Sequence, residues 1–292
     1  MNATLKAALW MIGSIASFSS MAVAGREVAV ELDTFEIMMY RSAFGLLIVL
    51  CVALVAGTLH QIKRDQLGVH AVRNLAHFTG QNLWFYAVTV IPLAQVFALE
   101  FTSPLWVVVL SPLILGERLT AMRALAAVMG FVGILIVARP DVAGINAGVI
   151  AAASSAVFFA LTIMLTKRLT RTQSITCILF YLTAMQLIFG IVAAGYDGDI
   201  AWPSPGALPY VLVIGAAGLL AHFCLTNALS LAPATVVVPI DFIRLPTIAV
   251  VGMLLYNEPL DMWVFAGAAI IFTGNYLNIW SETRAYSRVN AR

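Results

Sequence analysis

Long runs of apolar residues, separated by short polar clusters, make up most of this 292-residue chain. Each run is close to the ~20 residues that a helix needs to cross the hydrocarbon core of a bilayer. The runs are continuous, whereas the strands of a membrane barrel alternate apolar and polar residues over about 10 positions. The pattern therefore predicts an all-α membrane protein with ten transmembrane helices. The predicted helices lie near residues 5–24, 34–57, 70–89, 93–115, 119–137, 147–166, 174–194, 207–229, 234–256 and 260–280.

The composition excludes several classes of protein. Hydrophobic residues make up 62% and charged residues 10% of the chain, whereas soluble domains carry about 25% charged residues. A net charge of +2 argues against nucleic acid as a partner, and three cysteines cannot all pair in a disulfide scaffold. Gly-rich nucleotide loops, zinc-protease motifs and nucleophile elbows are missing from the sequence. We therefore expect no cofactor, no metal site and no ATP-driven pump.

The lysines and arginines are distributed unevenly between the two sides of the predicted membrane layout. Twelve of them, including Arg73, fall on the side that holds both termini, and only Arg26 and Arg139 fall on the other side. Cytoplasmic loops carry such an excess of positive charge. The sequence therefore predicts a multi-pass protein of the inner (cytoplasmic) membrane with both termini in the cytoplasm.

The chain contains an internal duplication. An offset of 141 residues aligns residues 92–133 with residues 233–274 without a gap, with ten identities in 42 positions. The duplication divides the chain into two halves, residues 1–141 and 142–292, with five predicted helices each. Because five is odd, the second half must cross the membrane in the opposite sense to the first. Such inverted repeats are a recurrent construction of secondary transporters, with the substrate site near the midplane where the halves meet.

Three segments carry a resemblance to a known family: residues 115–119 and 256–260, which end the repeated helix in each half, and residues 35–41. With the ten-helix layout, they resemble the EamA-type branch of the drug/metabolite transporter superfamily. Within that branch the chain is most similar to S-adenosylmethionine uptake proteins and, more distantly, to amino-acid exporters. The resemblance implies a central cavity lined by the first four helices of each half, with the fifth helix of each half as a support.

Four charged residues lie deep inside predicted helices, at least seven positions from either end of the span: Arg41, Glu100, Asp241 and Arg244. A charge in hydrocarbon is costly, so such residues face a cavity or one another and are candidates for function. Asp241 and Arg244 have the i, i+3 spacing that lets them pair on one helix face. The pair is either a structural salt bridge or a binding site for the charged ends of a zwitterion. Glu100 is a packed structural acid, a carboxylate partner for a substrate amino group, or a protonatable switch. Arg41 is a candidate for binding a substrate anion.

Polar and aromatic residues in the predicted helices extend this substrate-binding set. Imidazoles can hydrogen-bond a ligand or carry protons, although a histidine satisfied between helices is as common. Aromatic rings beside amides can line a pocket, although core packing is the more frequent role of a single ring. The candidates of these types are His77, Asn82, Trp84, Tyr86, Tyr181 and His222.

Prolines fall within the fourth and ninth predicted helices, Pro104 and Pro112 in the fourth and Pro239 and Pro246 in the ninth. Proline removes a backbone hydrogen bond and kinks or breaks a helix. Interrupted helices at corresponding places of two halves point to a transport site. We therefore expect Pro104, Pro239 and Pro246 to mark gating elements. Glu117 and Glu258, which stand at membrane boundaries just before a new helix, are predicted to be structural, since a carboxylate favours the positive end of a helix.

These observations favour a secondary transporter of small organic metabolites, amino acids or their derivatives, that works by alternating access in the lipid bilayer. Two alternatives stay open at this point: an intramembrane enzyme acting on a lipid-linked substrate, and a passive channel. The enzyme is the weaker alternative because no nucleophile, base and orienting group converge in the sequence. Proton coupling through Glu100 or Asp241 and the choice between a monomer and a homodimer are also open. Glycines in the fifth and tenth helices would pack within one chain or against a second copy; they are Gly130, Gly133, Gly267 and Gly274.

Overall fold

The computed structural model describes residues 3–114, 120–138, 146–169, 171–196, 198–231, 240–241 and 243–290. Within these ranges all regular secondary structure is helical. The helices are α1 (Ala3–Val28), α2 (Thr34–Val55), a short 3-10 helix (Leu59–Gln61), α3 (Leu67–Val90), α4 (Leu93–Glu100), α5 (Ser103–Ile114), α6 (Ala121–Ala138), α7 (Ala147–Leu169), α8 (Ile175–Ala194), α9 (Leu208–Leu231), α10 (Arg244–Tyr256) and α11 (Met262–Asn290).

The helices agree closely with the apolar pattern of the sequence. In the described part of the chain, seven helical segments are long and apolar enough to cross a membrane, and two further apolar helices, Ala124–Ala138 and Arg244–Tyr256, are shorter. Every predicted span overlaps one of the helices, and α4 with α5 together fill the fourth. The all-α membrane architecture is thus confirmed.

Local sequence signals explain where two of the helices begin. Asp33 caps α2 by accepting a hydrogen bond from the backbone N–H of Glu36 at 2.8 Å, while the Glu36 carboxylate accepts from the N–H of Asp33 at 2.9 Å. This reciprocal arrangement satisfies two donors that a helix start leaves free. Ser174 caps α8 through the N–H of Cys177 at 3.2 Å.

The fourth predicted span is interrupted, but its prolines lie beyond the break, within the helix that follows it. The break covers Phe101 and Thr102, so that Glu100 is the last residue of α4. Pro104 follows as the second residue of α5, where the missing N–H of proline has no helical partner to lose. Pro112 does not break α5, which continues to Ile114.

The ninth predicted span is described only in part. Pro246 lies in the first turn of α10, so it does not break this helix, because the N–H groups of a first turn have no helical acceptor. The expectation that Pro112 breaks a helix was therefore wrong, whereas Pro246, like Pro104, stands in the first turn of a helix. Pro239 lies outside the described residues.

The most extensive helix contacts join α1 with α9, α6 with α11, α3 with α7 and α2 with α8. Each of these pairs takes one helix from residues 1–141 and one from residues 142–292. The glycines of α6 and α11 permit a close approach of the two backbones: a Cβ on Gly133 would lie 2.8 Å from the carbonyl oxygen of Gly267, and a Cβ on Gly267 would lie 2.8 Å from that of Gly133. Gly130 similarly faces Leu105, and Gly274 faces Ala126. These glycines thus pack inside a single chain.

Candidate functional site

Three charged side chains meet where α4 ends and α10 begins. The Nη2 atom of Arg244 lies 3.3 Å from Oε1 of Glu100 and 3.1 Å from Oδ2 of Asp241. We call these residues the inner ion triad. The contact with Asp241 is the i, i+3 pair that the sequence spacing permits, whereas the contact with Glu100 joins the two halves of the chain. Arg244 is 4% exposed, but the two carboxylate side chains keep 18% and 20% of their surface. The two carboxylates of the triad are therefore partly accessible.

Aromatic rings surround the guanidinium group of Arg244. Its Cζ atom lies 4.7 Å from the ring centre of Phe18, 5.1 Å from that of Phe97 and 4.8 Å from that of Phe101. A cation over an aromatic face is attracted by the ring quadrupole, by about 2 kcal/mol when the pair is desolvated. Trp84 adds a hydrogen bond, since its Nε1–H donates to Oε2 of Glu100 at 2.8 Å. The rings and the two carboxylates together form a binding site for a flat or compact cation, which Arg244 occupies.

The inner ion triad retains unused hydrogen-bonding capacity. Oδ1 of Asp241 and Nε of Arg244 are buried and have no hydrogen-bond partner among the described residues. Buried polar atoms of this kind are few in folded proteins and call for an explanation, such as a bound ligand or water. The triad can therefore accept and donate further hydrogen bonds without losing its present contacts.

A second group of interior side chains is basic: Arg41 on α2, Arg73 and His77 on α3, and His222 on α9. His77 lies within electrostatic range of Arg73, Arg41 and His222, and His222 lies within range of Arg244 as well. We call these four residues the basic cluster. His77 is buried against the ring of Phe159, with ring centres 6.0 Å apart. The fold thus brings together Arg41, His77 and His222, which the sequence identifies as binding-site candidates without predicting that they lie near one another.

Arg73 belongs to this cluster although the sequence placed it on the cytoplasmic side. It lies in the second turn of α3, is 7% exposed, and donates to the Thr166 hydroxyl at 3.0 Å and to Oδ1 of Asn74 at 2.6 Å. The sequence counts Arg73 on the cytoplasmic side, and the structure buries its side chain near that predicted end of α3. The sequence signal that could have found Arg73 is its position within a predicted helix, four residues before His77.

Three of the predicted site residues lie apart from both groups. Tyr86 is 40% exposed and shares a helix face with the exposed Val72, Leu75 and Val90, a face that points away from the neighbouring helices. Tyr181 packs against His70, with ring centres 4.6 Å apart, near the start of α3. Asn82 donates to the carbonyl oxygen of Phe78 in its own helix at 2.8 Å. Of the aromatic candidates, only Trp84 touches the inner ion triad.

A second ion pair joins Arg26, at the end of α1, to Glu258, just beyond α10. Arg26 also donates to the carbonyl oxygens of Val88 and Ile91, at 2.6 Å each, where α3 ends. The other Glu258 oxygen accepts from the backbone N–H of Leu93, the first residue of α4, at 2.9 Å. We call Arg26 and Glu258 the outer latch. Because Glu258 binds the start of α4, its predicted interaction with the helix that follows it was wrong. Glu117 lies outside the described residues.

A cavity of about 360 Å³ lies between α1, α9 and α10, near the outer latch end of these helices. Ser19, Ser20 and Val23 line it from α1, Tyr210 from α9 and Val251 from α10. Its lining contains no charged residue, so it is distinct from the inner ion triad. In the described part of the chain, no three His, Cys, Asp or Glu side chains are grouped so that they could hold a metal ion.

Comparisons with known proteins agree with this architecture. An S-adenosylmethionine uptake transporter of Rickettsia felis is 27% identical over 99% of this chain and 98% of its own length. A riboflavin transporter of Vibrio cholerae is 27% identical over 96% and 95% of the two chains, and a pseudopaline exporter of Pseudomonas aeruginosa is 28% identical over 87% and 89%. The crystal structure of a protein with 18% sequence identity shares the fold with a TM-score of 0.65, over 96% of this chain and 98% of that one.

The sequence model of the EamA-like transporter family matches the chain twice, at residues 5–139 and at residues 146–280. The two matches account for most of the 292 residues. This family and the relatives above consist of transporters, which sets aside the intramembrane enzyme that the sequence had left open. The chain belongs to the EamA-like transporter family.

Proposed function

We propose that this protein is a secondary transporter that carries small zwitterionic metabolites, amino acids or their derivatives, across the cytoplasmic membrane by alternating access. The observation that carries the proposal is the inner ion triad. It joins the two halves of the chain at a helix break, it is partly exposed, and it keeps unused hydrogen-bonding atoms. A structural salt bridge would be more stable with all of these atoms satisfied, since a buried polar atom without a partner costs about 1–3 kcal/mol.

The halves, residues 1–141 and 142–292, act in this proposal as inverted repeats. The two matches of the family model, one in each half, support it. The helix contacts support it as well, because the 141-residue offset relates α1 to α7 and α3 to α9. Exchanging the halves therefore converts the α1–α9 contact into the α7–α3 contact, and both are among the most extensive in the fold. Two arrangements of similar energy, one open to each side, follow from such a relation.

The outer latch is, in this proposal, a contact that opens when the cavity faces the outside. It holds together the ends of α1 and α3, the start of α4 and the end of α10. The offset gives Arg26 and Glu258 the sequence counterparts Lys167 and Glu117, again a cation and an acid. The side chains of these two counterparts lie outside the described residues.

The outer latch faces the periplasm if both termini are cytoplasmic, which the charge distribution supports. With Arg73 assigned to the membrane interior, eleven lysines and arginines remain on the cytoplasmic side against two on the other. Single cysteines in residues 198–206 of a variant without Cys51, Cys177 and Cys224 test this orientation. We expect a membrane-impermeant maleimide to label them in intact cells and to spare cysteines placed in residues 58–66; the reverse pattern would overturn the orientation.

Proton coupling is proposed to pass through Glu100 or Asp241. Protonation of either acid would release Arg244 from one of its two carboxylates and so weaken the contact between the halves. Uphill uptake driven by a pH gradient alone supports this part of the proposal. Downhill flux that is indifferent to such a gradient would contradict it.

Purified protein in proteoliposomes tests the transport function. The panel contains amino acids, S-adenosylmethionine and riboflavin, and the measured quantity is entry of labelled compound and its exchange for unlabelled compound inside. We expect saturable entry and accelerated exchange for at least one zwitterion, because a carrier must bind its substrate to change state. Linear, unsaturable flux would indicate a channel. If folded protein transports none of the compounds in the panel, the proposal is overturned.

A further inference from the structure

Arg41 lies deep in the fold in a setting shaped to hold its guanidinium group. It is the eighth residue of α2, about 10 Å from the start of the helix at 1.5 Å per residue. A Cβ added to Gly218 of α9 would lie 3.0 Å from Nη2 and 3.3 Å from Nε of Arg41. Glycine at position 218 therefore lets the guanidinium group lie against the α9 backbone. The Nη1 atom is 3.7 Å from the sulfur of Met38, a weak acceptor.

No acid neutralises this arginine within the described part of the chain. No carboxylate there lies within 4.0 Å of the guanidinium group of Arg41 or of Arg73. Arg73 is held by the neutral Thr166 and Asn74, whereas the guanidinium group of Arg41 has, among the described side chains, a hydrogen-bond contact with the sulfur of Met38 alone. An unpaired charge inside a membrane costs several kcal/mol, so interior charges are normally paired or lie on a substrate pathway. Arg41 retains donors and charge for an anion that comes from outside the chain.

A continuous line of contacts leads from Arg41 to the inner ion triad. His222 follows Gly218 by four residues, about 6 Å along α9, and is exposed. The Phe18 ring lies 5.5 Å from the His222 ring and 4.7 Å from Cζ of Arg244. Arg41 is itself only half-buried. Both ends of the line are therefore accessible.

The two ends of this line differ in charge. The inner ion triad has two carboxylates for one arginine, whereas the basic cluster has two arginines and two histidines, and no described acid lies within 4.0 Å of either arginine. We propose that Arg41, lying against Gly218, binds the carboxylate of the transported molecule, while Glu100 and Asp241 receive its cationic group. This inference rests on the proposed transport function and assigns the carboxylate of its zwitterionic substrate to one side chain, Arg41, at a distance from the acids that receive the cationic group. The planar fork of arginine matches a carboxylate with two parallel hydrogen bonds.

A comparison of the affinities for an acid and for its amide distinguishes carboxylate binding by Arg41 from a purely structural role of this residue. We would measure the Kd of amino acids and S-adenosylmethionine, together with their carboxamides and riboflavin, by thermal shift and calorimetry on the full-length protein. The strongest zwitterionic binder and its carboxamide then serve as the probe pair. We expect Arg41→Gln to weaken binding of the acid by about 10- to 100-fold, the size of a lost hydrogen bond to a charged group, and to leave the Kd of the amide within about twofold.

Gly218→Ala and Gly215→Ala provide a matched pair that leaves Arg41 in place. Both glycines face α2, but a Cβ at position 215 would meet Phe44 at 3.1 Å rather than the guanidinium group. We expect Gly218→Ala to lower the preference for the acid over the amide and Gly215→Ala to leave that preference unchanged. A preference that Arg41→Gln and Gly218→Ala both leave unchanged would overturn this inference while the transport function stands. Failure of every compound to bind or to be transported would overturn the transport function, and this inference with it.

Discussion

The inner ion triad and the outer latch are both contacts between arginine and carboxylate that join the halves of the chain, yet they are built differently. In the outer latch, Arg26 donates to two backbone carbonyl oxygens besides Glu258 and stacks on the Tyr256 ring at 4.7 Å. Glu258 uses its second oxygen on a backbone N–H. In the inner ion triad, Arg244 contacts two carboxylates and three rings, and within the described part of the chain it has no backbone acceptor and two polar atoms of the triad have no partner.

This difference separates a contact that fixes helix ends from one that can exchange partners. Backbone groups move only when their helices move, so the outer latch opens only if α1, α3, α4 and α10 separate. Side-chain carboxylates can turn towards another cation at the cost of a rotamer change, typically on a scale of ps to ns for accessible groups. We therefore expect substitutions in the inner ion triad to affect substrate binding and substitutions in the outer latch to affect stability and the balance between states.

The largest effect is expected from Arg244→Ala. It leaves Glu100 and Asp241 as two acids without a cation, and removing one partner of a buried ion pair costs about 3–5 kcal/mol. We expect uptake to fall below detection. Uptake per folded protein, with folding checked by size-exclusion chromatography, is the measurement, and Glu258→Ala is the comparison variant. Unchanged uptake by Arg244→Ala would show that the triad is not part of the transport site.

The second largest effect is expected from Glu100→Gln. The amide still accepts the hydrogen bond from Trp84 but removes one charge, so we expect uptake to fall about tenfold, the value of a charge-assisted hydrogen bond, and to lose its dependence on a pH gradient. Glu36→Gln is the matched control, because Glu36 is also buried but caps α2 and binds the N–H of Ala201 at 2.5 Å. A pH dependence that survives Glu100→Gln would move proton coupling to Asp241 or away from the triad.

A double-mutant cycle of Arg26→Gln and Glu258→Gln measures the outer latch. We expect a coupling energy of about 1–2 kcal/mol in thermal unfolding, within the usual range for contacting residues, and only a moderate fall in uptake. The double variant should be at least as stable as the less stable single variant, since each single substitution leaves a partner without its counter-charge. Additive effects on unfolding would show that the two side chains do not act together.

Trp84→Phe removes one hydrogen bond and keeps a ring in place. The loss of the donor to Glu100 should cost about 1 kcal/mol, which is roughly a fivefold change in substrate affinity at constant expression. Trp106→Phe is the control, because the Nε1 atom of Trp106 has no partner among the described residues. Equal changes in substrate Kd for both variants would argue that the Trp84 hydrogen bond does not orient Glu100 for binding.

The smallest effect is expected from Tyr86→Ala. Its ring lies on the exposed face of α3, away from the triad, and surface substitutions usually change stability by no more than about 0.5 kcal/mol. We expect substrate Kd and uptake to stay close to those of the unmodified protein. A loss as large as that of Trp84→Phe would place Tyr86 back on the substrate pathway.

Several parts of the site could be predicted from the sequence because a charged residue within an apolar run is energetically costly and therefore conspicuous. Glu100, Asp241 and Arg244 stand out as charges in apolar runs, and the i, i+3 spacing of the last two is enough to expect their pairing. The capping of α2 by Asp33 and Glu36 is likewise a signal of adjacent residues. By contrast, the binding of Glu100 by Arg244 joins residues 144 positions apart, and no local pattern encodes that choice of partner.

The sequence by itself determined the membrane class, the approximate bounds of the helices, and the duplication, because burial of apolar residues in lipid and helix length act on consecutive residues. Only the tertiary structure decided that Arg73 is buried and Tyr86 exposed, that Glu258 holds Arg26 and the start of α4, and that no acid among the described residues pairs with Arg41. Those outcomes depend on which helix faces meet, and helix rotation and packing are set by contacts between residues that are distant in the chain.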